Sequence, residues 1–329
     1  MERGMLRERG THALNTRNIR VSSVMKLNPQ QAPLYGECLL TVQLGDGERL
    51  EDEEDVEFYL LFAGTTQRHL TSTLRISHVT LQAVCPAHDC CESVQVTLCS
   101  ARSDGSVDPV AEERFQFVQD LAFDMAQFLV SAAGRADGLE GALLLDECQI
   151  PLQECERLDE SLSLALRHLA LPQGWSILGA NVGTPPGTDL DNSIAEPGPH
   201  ETLLHFAARR GLRRVALFLL EQPGGREALR LPNKQGSTPV SVAEKRGHDQ
   251  LQQLFTEVET LSETRIKTEE RQCYPGGRVL QHHPKLNTYT LTVDTLLGKP
   301  LPSLKGQVEE LQKLIQRHRD NKVSYITLL

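Results

Sequence analysis

Thr202-Leu203-Leu204-His205-Phe206-Ala207-Ala208-Arg209-Arg210-Gly211 and Thr238-Pro239-Val240-Ser241-Val242-Ala243-Glu244-Lys245-Arg246-Gly247 are two copies of one sequence pattern. The positions that carry the pattern are Thr202, Leu204, His205, Ala207 and Gly211 in the first copy and Thr238, Pro239, Ala243 and Gly247 in the second. A pattern that recurs at a fixed spacing predicts a repeated structural unit. Each glycine stands where a short helix must stop in a left-handed conformation.

The repeated pattern resembles the ankyrin repeat, which opens with Thr-Pro-Leu-His-x-Ala and continues as two short helices over about 33 residues. Residues 215–220 are apolar on most sides, as expected of a helix inside a stack. We expect His205 to bond backbone between the repeats rather than to act in catalysis or bind a metal. Ankyrin repeats grip partners and carry no chemistry, so the pattern favours a binding function.

Two repeats cannot bury a solenoid core without further helices at their ends. The Leu-rich segment 158–178 is the candidate on the N-terminal side, within a helical region predicted at 119–178. The helix predicted at 251–258, with its polar outer face, ends the array. We therefore assign the two repeats to 199–260, preceded by a Gly- and Pro-rich linker at 179–198.

Composition limits the class of protein. The 329 residues have room for two domains, and the net charge of −10 argues against nucleic acid as a partner. No apolar stretch is long enough for a transmembrane segment, and the acidic run 51–55 is expected to be a solvated loop. Residues 1–24 are predicted to be a disordered extension. The eight cysteines show no disulfide framework, so we expect free thiols and a cytoplasmic location, with cytoskeletal or membrane association through partners.

Residues 25–118 have a β pattern. Short runs at 38–44, 56–62, 70–76, 79–84 and 94–99 are rich in Val, Leu, Thr and aromatic residues and are separated by turn residues. The stretches 81–88 and 93–98 look like the last hairpin of the immunoglobulin-like domain found beside ankyrin repeats in B-cell scaffold adaptors. The expected fold is therefore α+β and multidomain: an immunoglobulin-like sandwich, then helices, then a short ankyrin solenoid.

The remaining segments are less regular. A helix is predicted from Phe117 to Gly134, loop-like chain at 135–157, and an irregular linker at 261–302 with one strand at 289–293. Residues 303–329 are predicted to form a C-terminal helix and tail. The helix is expected to pack on the repeats, the alternative being a groove of another protein, and the final Thr327-Leu328-Leu329 fits capture by a PDZ domain.

Groups that could carry chemistry are few. Cys85, His88, Cys90 and Cys91 lie in one tight turn, which differs from the paired ligand elements of structural zinc sites. His282 and His283 are expected to be a surface pair in irregular chain. No phosphate-binding loop or nucleophile motif is present in the sequence. We therefore predict no catalytic residue, no cofactor and no metal, and a protein that is not an enzyme.

The segment Met25–Gly36 resembles the N-terminal opening of the Lbc-type A-kinase anchoring proteins, a subfamily of Rho guanine-nucleotide exchange factors. The resemblance continues through 88–92, 115–120 and 166–172 and across the repeats. It implies a non-catalytic scaffold or regulatory module in Rho GTPase and protein kinase A anchoring signalling. The alternatives are a short form that inhibits or competes with an exchange factor, or a regulatory part of a protein with exchange activity. The Dbl-homology and pleckstrin-homology domains that carry exchange in the family have no counterpart in this sequence.

A mostly basic set of residues in the repeats is the predicted partner surface. They are Arg209, Arg210, Arg213, Arg214, Asn233 and Lys234. Clustered positive charge predicts an acidic patch on the protein that binds there. An exchange-factor domain and a PDZ domain are the two kinds of partner that the sequence suggests.

Overall fold

A computed structural model describes residues 23–45, 56–133, 152–179, 201–260, 271–295 and 302–326. The strands are β1 (Ser23–Asn28), β2 (Gln31–Pro33), β3 (Leu39–Leu44), β4 (Glu57–Ala63), β5 (Gln67–Ser72), β6 (Leu74–Arg75), β7 (Thr80–Val84), β8 (Ser93–Ala101), β9 (Val107–Val118), β10 (Arg271–Tyr274), β11 (Arg278–His283) and β12 (Thr288–Asp294). The helices are α1 (Leu121–Ala132), α2 (Leu152–His168), α3 (Leu203–Arg210), α4 (Arg213–Leu220), α5 (Gly225–Arg230), α6 (Pro239–Lys245), α7 (Asp249–Thr260) and α8 (Leu304–Ile326). The α+β class is confirmed.

Some predicted features lie outside the described residues. They are the acidic run 51–55, the terminal 327–329, residues 1–22 of the predicted extension and all of the predicted linker 179–198 except Gly179. The last two residues of the predicted extension, Ser23 and Val24, belong to β1. They pair in parallel with Ala111 and Glu112 of β9, so regular structure begins before residue 25.

The strands form two sheets that β1 joins. One sheet runs β10-β11-β12-β5-β4-β8-β9, and the other contains β3, β7 and β6. The start of β1 pairs with β9, and the rest of it, from Met25, pairs antiparallel with β3. In β3 the buried Leu40, Val42 and Leu44 alternate with less buried residues, the period expected of a strand with one face inward.

The inward faces of the two sheets share one core. Phe62, Phe115 and Phe117 lie at its centre, and the Phe62 and Phe115 rings meet edge to face with centroids 5.8 Å apart. The same core cluster continues into the helices 121–260 without a break. The sheets and helices are therefore held together by continuous apolar contact.

Two sequence predictions in this region are wrong. The stretches 81–88 and 93–98 are not a hairpin, because β7 pairs with β3 and β6 whereas β8 pairs with β4 and β9. Phe117 belongs to β9 and not to the helix that follows it. Asp120 separates the two elements, since its carboxylate accepts a hydrogen bond from Phe123 N and so caps α1.

Helix α2 connects the sheets to the helical repeats. It packs on both α1 and α4, and it begins at Leu152, inside the segment 135–157 that was predicted to be loop-like. The Asp159 carboxylate accepts hydrogen bonds from Arg214 N and Val215 N at 2.9 and 3.0 Å, which caps the start of α4. Burial raises the pKa of Asp159, so these bonds offset a real desolvation cost.

The C-terminal part corrects the prediction of an irregular linker at 261–302. Residues 271–294 form a three-stranded meander whose last strand, β12, pairs antiparallel with β5. The strand predicted at 289–293 is its third member. Thr290 and Thr292 of this meander bond Thr71 and His69 of β5, so contacts of the strand with the sheet are partly polar and its sequence lacks a purely apolar pattern.

Helix α8 lies on the outer face of the larger sheet and not on the repeats, contrary to the prediction. Its Val308, Leu311 and Leu314 are buried against Leu70, Leu291 and neighbouring sheet residues in a second, smaller core. The helix therefore covers a sheet face whose strands come from both ends of the chain.

Candidate functional site: a groove between sheet and helices

His205 joins the two copies of the repeated pattern. Its Nδ1 accepts hydrogen bonds from the Thr202 backbone N–H at 3.1 Å and the Thr202 hydroxyl at 2.8 Å. Its Nε2 therefore carries the proton and donates to Ser237 O at 2.9 Å. The ring is fully buried, and its bonds span the step from one copy to the next.

The other pattern residues also serve the helical stack. Thr238 is the N-cap of α6, with Pro239 in the first turn, and Leu204, Ala207 and Ala243 are fully buried. Gly211 has φ +71°, and a Cβ at this position would lie 2.7 Å from the His248 ring. Gly247 has φ +74°. His248 in turn lies 3.3 Å from Arg209 O, a second link between the copies.

Two residues of the predicted partner surface are held within the fold. Arg209 pairs with Glu201, and Asn233 donates to the other carboxylate oxygen of Glu201 at 3.2 Å. The Asn233 side-chain oxygen accepts from Gln235 N and Ser237 N, both at 3.0 Å, and the residue is 2% exposed. Arg209 and Asn233 thus fix the turn before α6.

The other four residues of the predicted partner surface lie at separate places in the structure. Arg210 is half-buried at the end of α3, and Lys234 is exposed in the turn before α6. Arg213 and Arg214 are exposed at the start of α4, where the Arg214 guanidinium pairs with Glu160 of α2 at 2.8 Å. Arg214 is the one predicted partner residue that lines the groove described next.

A groove of about 680 Å³ runs between the sheets and the helices. The segment from β2 to β3 forms one wall, α2 and the start of α4 the second, and the turn between β11 and β12 the third. Leu39, 48% exposed, lies in it with Leu164 and Leu286. Leu39 is an apolar residue at an outward-facing position of a strand whose alternate residues are buried, and this is the feature of the sequence that could have indicated the groove.

The rim of the groove carries more positive than negative groups from distant parts of the chain. Arg157, Arg214 and Lys285 contribute cationic groups, and Glu37 and Glu160 contribute carboxylates. Arg157 and Lys285 were not among the predicted site residues. An apolar floor with a charged rim is the composition of a surface that binds a peptide or protein segment.

The groove also contains a half-buried thiol. Cys38 lines it, and the fully buried Cys85 lies beside Cys38, with Cys85 N donating to Cys38 O at 2.8 Å. A hydrogen bond between the two thiols lowers the pKa of Cys38, whereas burial raises the pKa of Cys85. Both shifts favour a thiolate at Cys38 over one at Cys85.

The four Cys and His residues at 85–91, which differ in sequence from a structural zinc site, are only partly close together in the structure. Cys85 lies in the core beside Cys38, and Cys91 is exposed. His88 and Cys90 lie close together, with Asp89 and Glu92 beside them.

The other histidine pair corrects a prediction. His283 is 4% exposed on β11 and bonds Thr290, and the His282 ring contacts Tyr289 and His318, so the pair is not a surface feature of irregular chain. In the described parts of the chain, no helix is both long enough and apolar enough to cross a membrane.

Comparison with known proteins first indicates a class, that of signalling adaptors and scaffolds. The mouse phosphoinositide 3-kinase adapter protein 1 is 33% identical over 138 residues, covering 40% of this chain and 16% of its own length. The human B-cell scaffold protein with ankyrin repeats is 37% identical over 73 residues, covering 22% of this chain and 9% of its own. No protein-family model and no solved structure matches the chain.

A longer similarity is to a particular exchange factor. Human Rho guanine nucleotide exchange factor 28 is 34% identical over 227 residues, which cover 69% of this chain. The matched region spans 13% of that relative's length, so this chain corresponds to a small part of it. The chain is therefore homologous to a Rho guanine nucleotide exchange factor over most of its own length.

Proposed function

We propose that this chain is a non-catalytic interaction module of the Rho guanine-nucleotide exchange factor family, which binds a protein segment in the groove between sheet and helices. In this proposal the two sheets are an immunoglobulin-like sandwich, and 199–260 are two ankyrin repeats capped by α2. The homology to an exchange factor and to two adaptor or scaffold proteins supports it. The groove is the observation that carries it.

The side chains that line the groove support one kind of partner. Leu39 and Leu286 offer apolar surface, while Arg157 and Lys285 place cationic groups at the edges. A segment with apolar side chains flanked by Asp or Glu would bury the first and pair with the second. The acidic partner expected from the repeats is thus retained, but its contact moves from the predicted surface to this groove, which Arg214 alone of that surface lines.

The relatives support a cellular role for such a module. A module of this kind would hold a partner near a Rho exchange factor in the cytoplasm, with protein kinase A anchoring as the finer assignment drawn from the Lbc-type resemblance. The groove requires no cofactor. In this proposal, any exchange activity belongs to domains outside this chain.

A peptide-display selection against the purified full chain tests the proposal. We expect selected peptides to combine apolar residues with Asp or Glu. Leu39→Glu, and the double variant Arg157→Glu with Lys285→Glu, should weaken their binding at least about tenfold, since one removes apolar contact and the other reverses the rim charge. Arg213→Glu is the matched control, because Arg213 is exposed and basic but does not line the groove.

The proposal fails if the selected peptides bind the groove variants as tightly as they bind the unaltered chain. A second measurement addresses regulation of an exchange factor, which the homology favours as a further role. The chain is added to a purified Dbl-homology fragment of Rho guanine nucleotide exchange factor 28, and nucleotide release from the GTPase is followed. Slower release supports regulation, and an unchanged rate eliminates it while leaving the peptide result intact.

A further inference from the structure

A cluster of side chains of metal-binding types lies at one end of the sheets, among residues that do not line the groove. It occupies the turn 88–92 between β7 and β8, beside the turn 64–66 between β4 and β5. His88 Nε2 lies 2.8 Å from Glu92 Oε1, 3.7 Å from Asp89 Oδ1 and 4.0 Å from Cys90 Sγ. Cys90 Sγ lies 3.6 Å from Glu92 Oε1.

We propose that His88, Asp89, Cys90 and Glu92 form a zinc-binding site. The ligand atoms of His88, Asp89 and Cys90 all lie within 4.8 Å of one another. Glu92 adjoins two of them and supplies the fourth donor. The site differs from the arrangement that the sequence argued against, because Cys85 and Cys91 take no part in it.

The distances among His88, Cys90 and Glu92 lie close to those between the ligands of a tetrahedral zinc ion. Bond lengths of about 2.0 Å to nitrogen or oxygen and 2.3 Å to sulfur place tetrahedral ligand atoms roughly 3.3 to 3.5 Å apart. The His88–Glu92 contact must therefore open by about half an ångström, as a bridging ion replaces a hydrogen bond. The His88–Cys90 distance must close by about the same amount.

Neighbouring groups hold these donor side chains in position through hydrogen bonds. Thr65 donates to Glu92 from its backbone N–H at 2.9 Å, and the Thr66 hydroxyl donates to Asp89 at 2.7 Å. His88 Nδ1 lies 2.8 Å from His69 Nε2, and His69 Nδ1 lies 3.0 Å from the Thr292 hydroxyl. Ligands in metal sites are oriented by such hydrogen bonds, and a ligating histidine in particular donates from its other ring nitrogen.

The buried pair of histidines can serve the site in both its states. Where a neutral His88 donates from Nε2 to the Glu92 carboxylate, its Nδ1 accepts from His69, which accepts from the Thr292 hydroxyl. With zinc on His88 Nε2, each neutral ring moves its proton to Nδ1, and the donors run from His88 through His69 to Thr292.

The mixture of donors selects the metal. Imidazole and thiolate together with carboxylate suit Zn²⁺, whereas Mg²⁺ and Ca²⁺ prefer oxygen ligands alone. The His88 side chain is fully buried, while those of Asp89 and Glu92 are 39% and 15% exposed. The site is accordingly anchored from within and open to an entering ion at its surface.

Metal binding by the full-length protein tests the proposal. After chelator treatment, Zn²⁺ is returned and measured by mass spectrometry and by competition with a chromophoric chelator, and Co²⁺ is used as a spectroscopic probe. We expect one ion per chain, a thiolate-to-cobalt charge-transfer band, and a higher Tm with zinc. Cys90→Ser should abolish the band and weaken zinc binding about 100-fold, and Thr292→Val should weaken it about tenfold through the hydrogen bonds that hold His88 in position.

Cys91→Ser is the matched control, since Cys91 is adjacent and exposed but lies outside the cluster. It should keep the band, the affinity and the shift in Tm. Should Cys90→Ser fail to fold without metal, Asp89→Asn and Glu92→Gln provide variants at partly exposed positions, and each should weaken zinc binding. Less than about one ion per ten chains, or equal affinity in Cys90→Ser and Cys91→Ser, would overturn the proposal.

Discussion

The helical repeats are stabilised by contacts between residues that are near one another in the sequence, and the C-terminal meander by contacts between residues that are far apart in the sequence. In the repeats, His205 bonds Ser237 and His248 lies against Arg209, partners 32 and 39 residues apart. In the meander, Thr290 bonds Thr71 and Thr292 bonds His69, across 219 and 223 residues. The repeats are thus a local assembly, whereas the meander closes the fold by joining distant parts of the chain.

Removing the meander and α8 should have the largest effect. A chain ending at residue 270 would leave β5 as an exposed edge strand and expose the buried Tyr59 and Leu70 on the outer sheet face. We expect aggregation and loss of nearly all monomer, measured by size-exclusion chromatography. A chain ending at residue 302 keeps β12 and should retain more monomer. Equal monomer in the two truncated chains would show that the β5 edge needs no cover.

Substitution of one equally buried core residue in each region should distinguish the effects of damage to the meander from the effects of damage to the repeats. Leu291 of β12 and Leu219 of α4 are each 1% exposed, so replacing either with Ala should cost about 2–5 kcal/mol of unfolding free energy. Hydrogen exchange should locate the damage differently. Leu291→Ala should speed exchange in β5 and α8, and Leu219→Ala in α2 and α3. If both variants speed exchange at the same amides, the distinction between local and distant assembly is wrong.

The sequence predicts the local region better than the distant one for physical reasons. The repeated spacing indicates the helices beginning at Leu203 and Arg213, because neighbouring turns of a stack impose the same pattern on each copy. The meander instead buries His283 and Thr290, which read as surface residues until it is known that they bond each other and that Thr290 also bonds Thr71. The bond to Thr71 forms because β12 pairs with β5, and no local pattern encodes that pairing.

The candidate groove could not be predicted from the sequence for the same reason. Leu39, Arg157 and Lys285 come from three separate segments, and each alone is an ordinary exposed or half-exposed residue. The basic residues of the repeats were predicted as one surface because they are close in sequence. Glu201 and Glu160, which neutralise Arg209 and Arg214, are positioned by the fold, so the charge pattern of the sequence overstated the patch.

Within the local region, His205→Ala should destabilise the repeats by about 1–3 kcal/mol, because it removes the bond to Ser237 O and leaves buried Thr202 donors without this acceptor. Urea unfolding followed by circular dichroism measures the loss. His248→Ala should cost less, since its bond to Arg209 O is long at 3.3 Å and only partly buried. A larger cost at His248 would contradict the view that His205 provides the main link between the copies.

The smallest expected effect concerns the connection of α2 to the repeats. Asp159→Ala removes the cap from Arg214 N and Val215 N and should cost about 1 kcal/mol, near the usual value of a helix cap. Asp159→Asn should cost less than Asp159→Ala, because the amide oxygen still accepts while the charge, whose burial raises the pKa of Asp159, is removed. Glu160→Ala is the neighbouring control at an exposed ion pair and should change stability little. Urea unfolding ranks the three variants. If Asp159→Asn is as costly as Asp159→Ala, the carboxylate charge rather than its oxygen holds α2 against the start of α4, and the connection between the two regions is electrostatic.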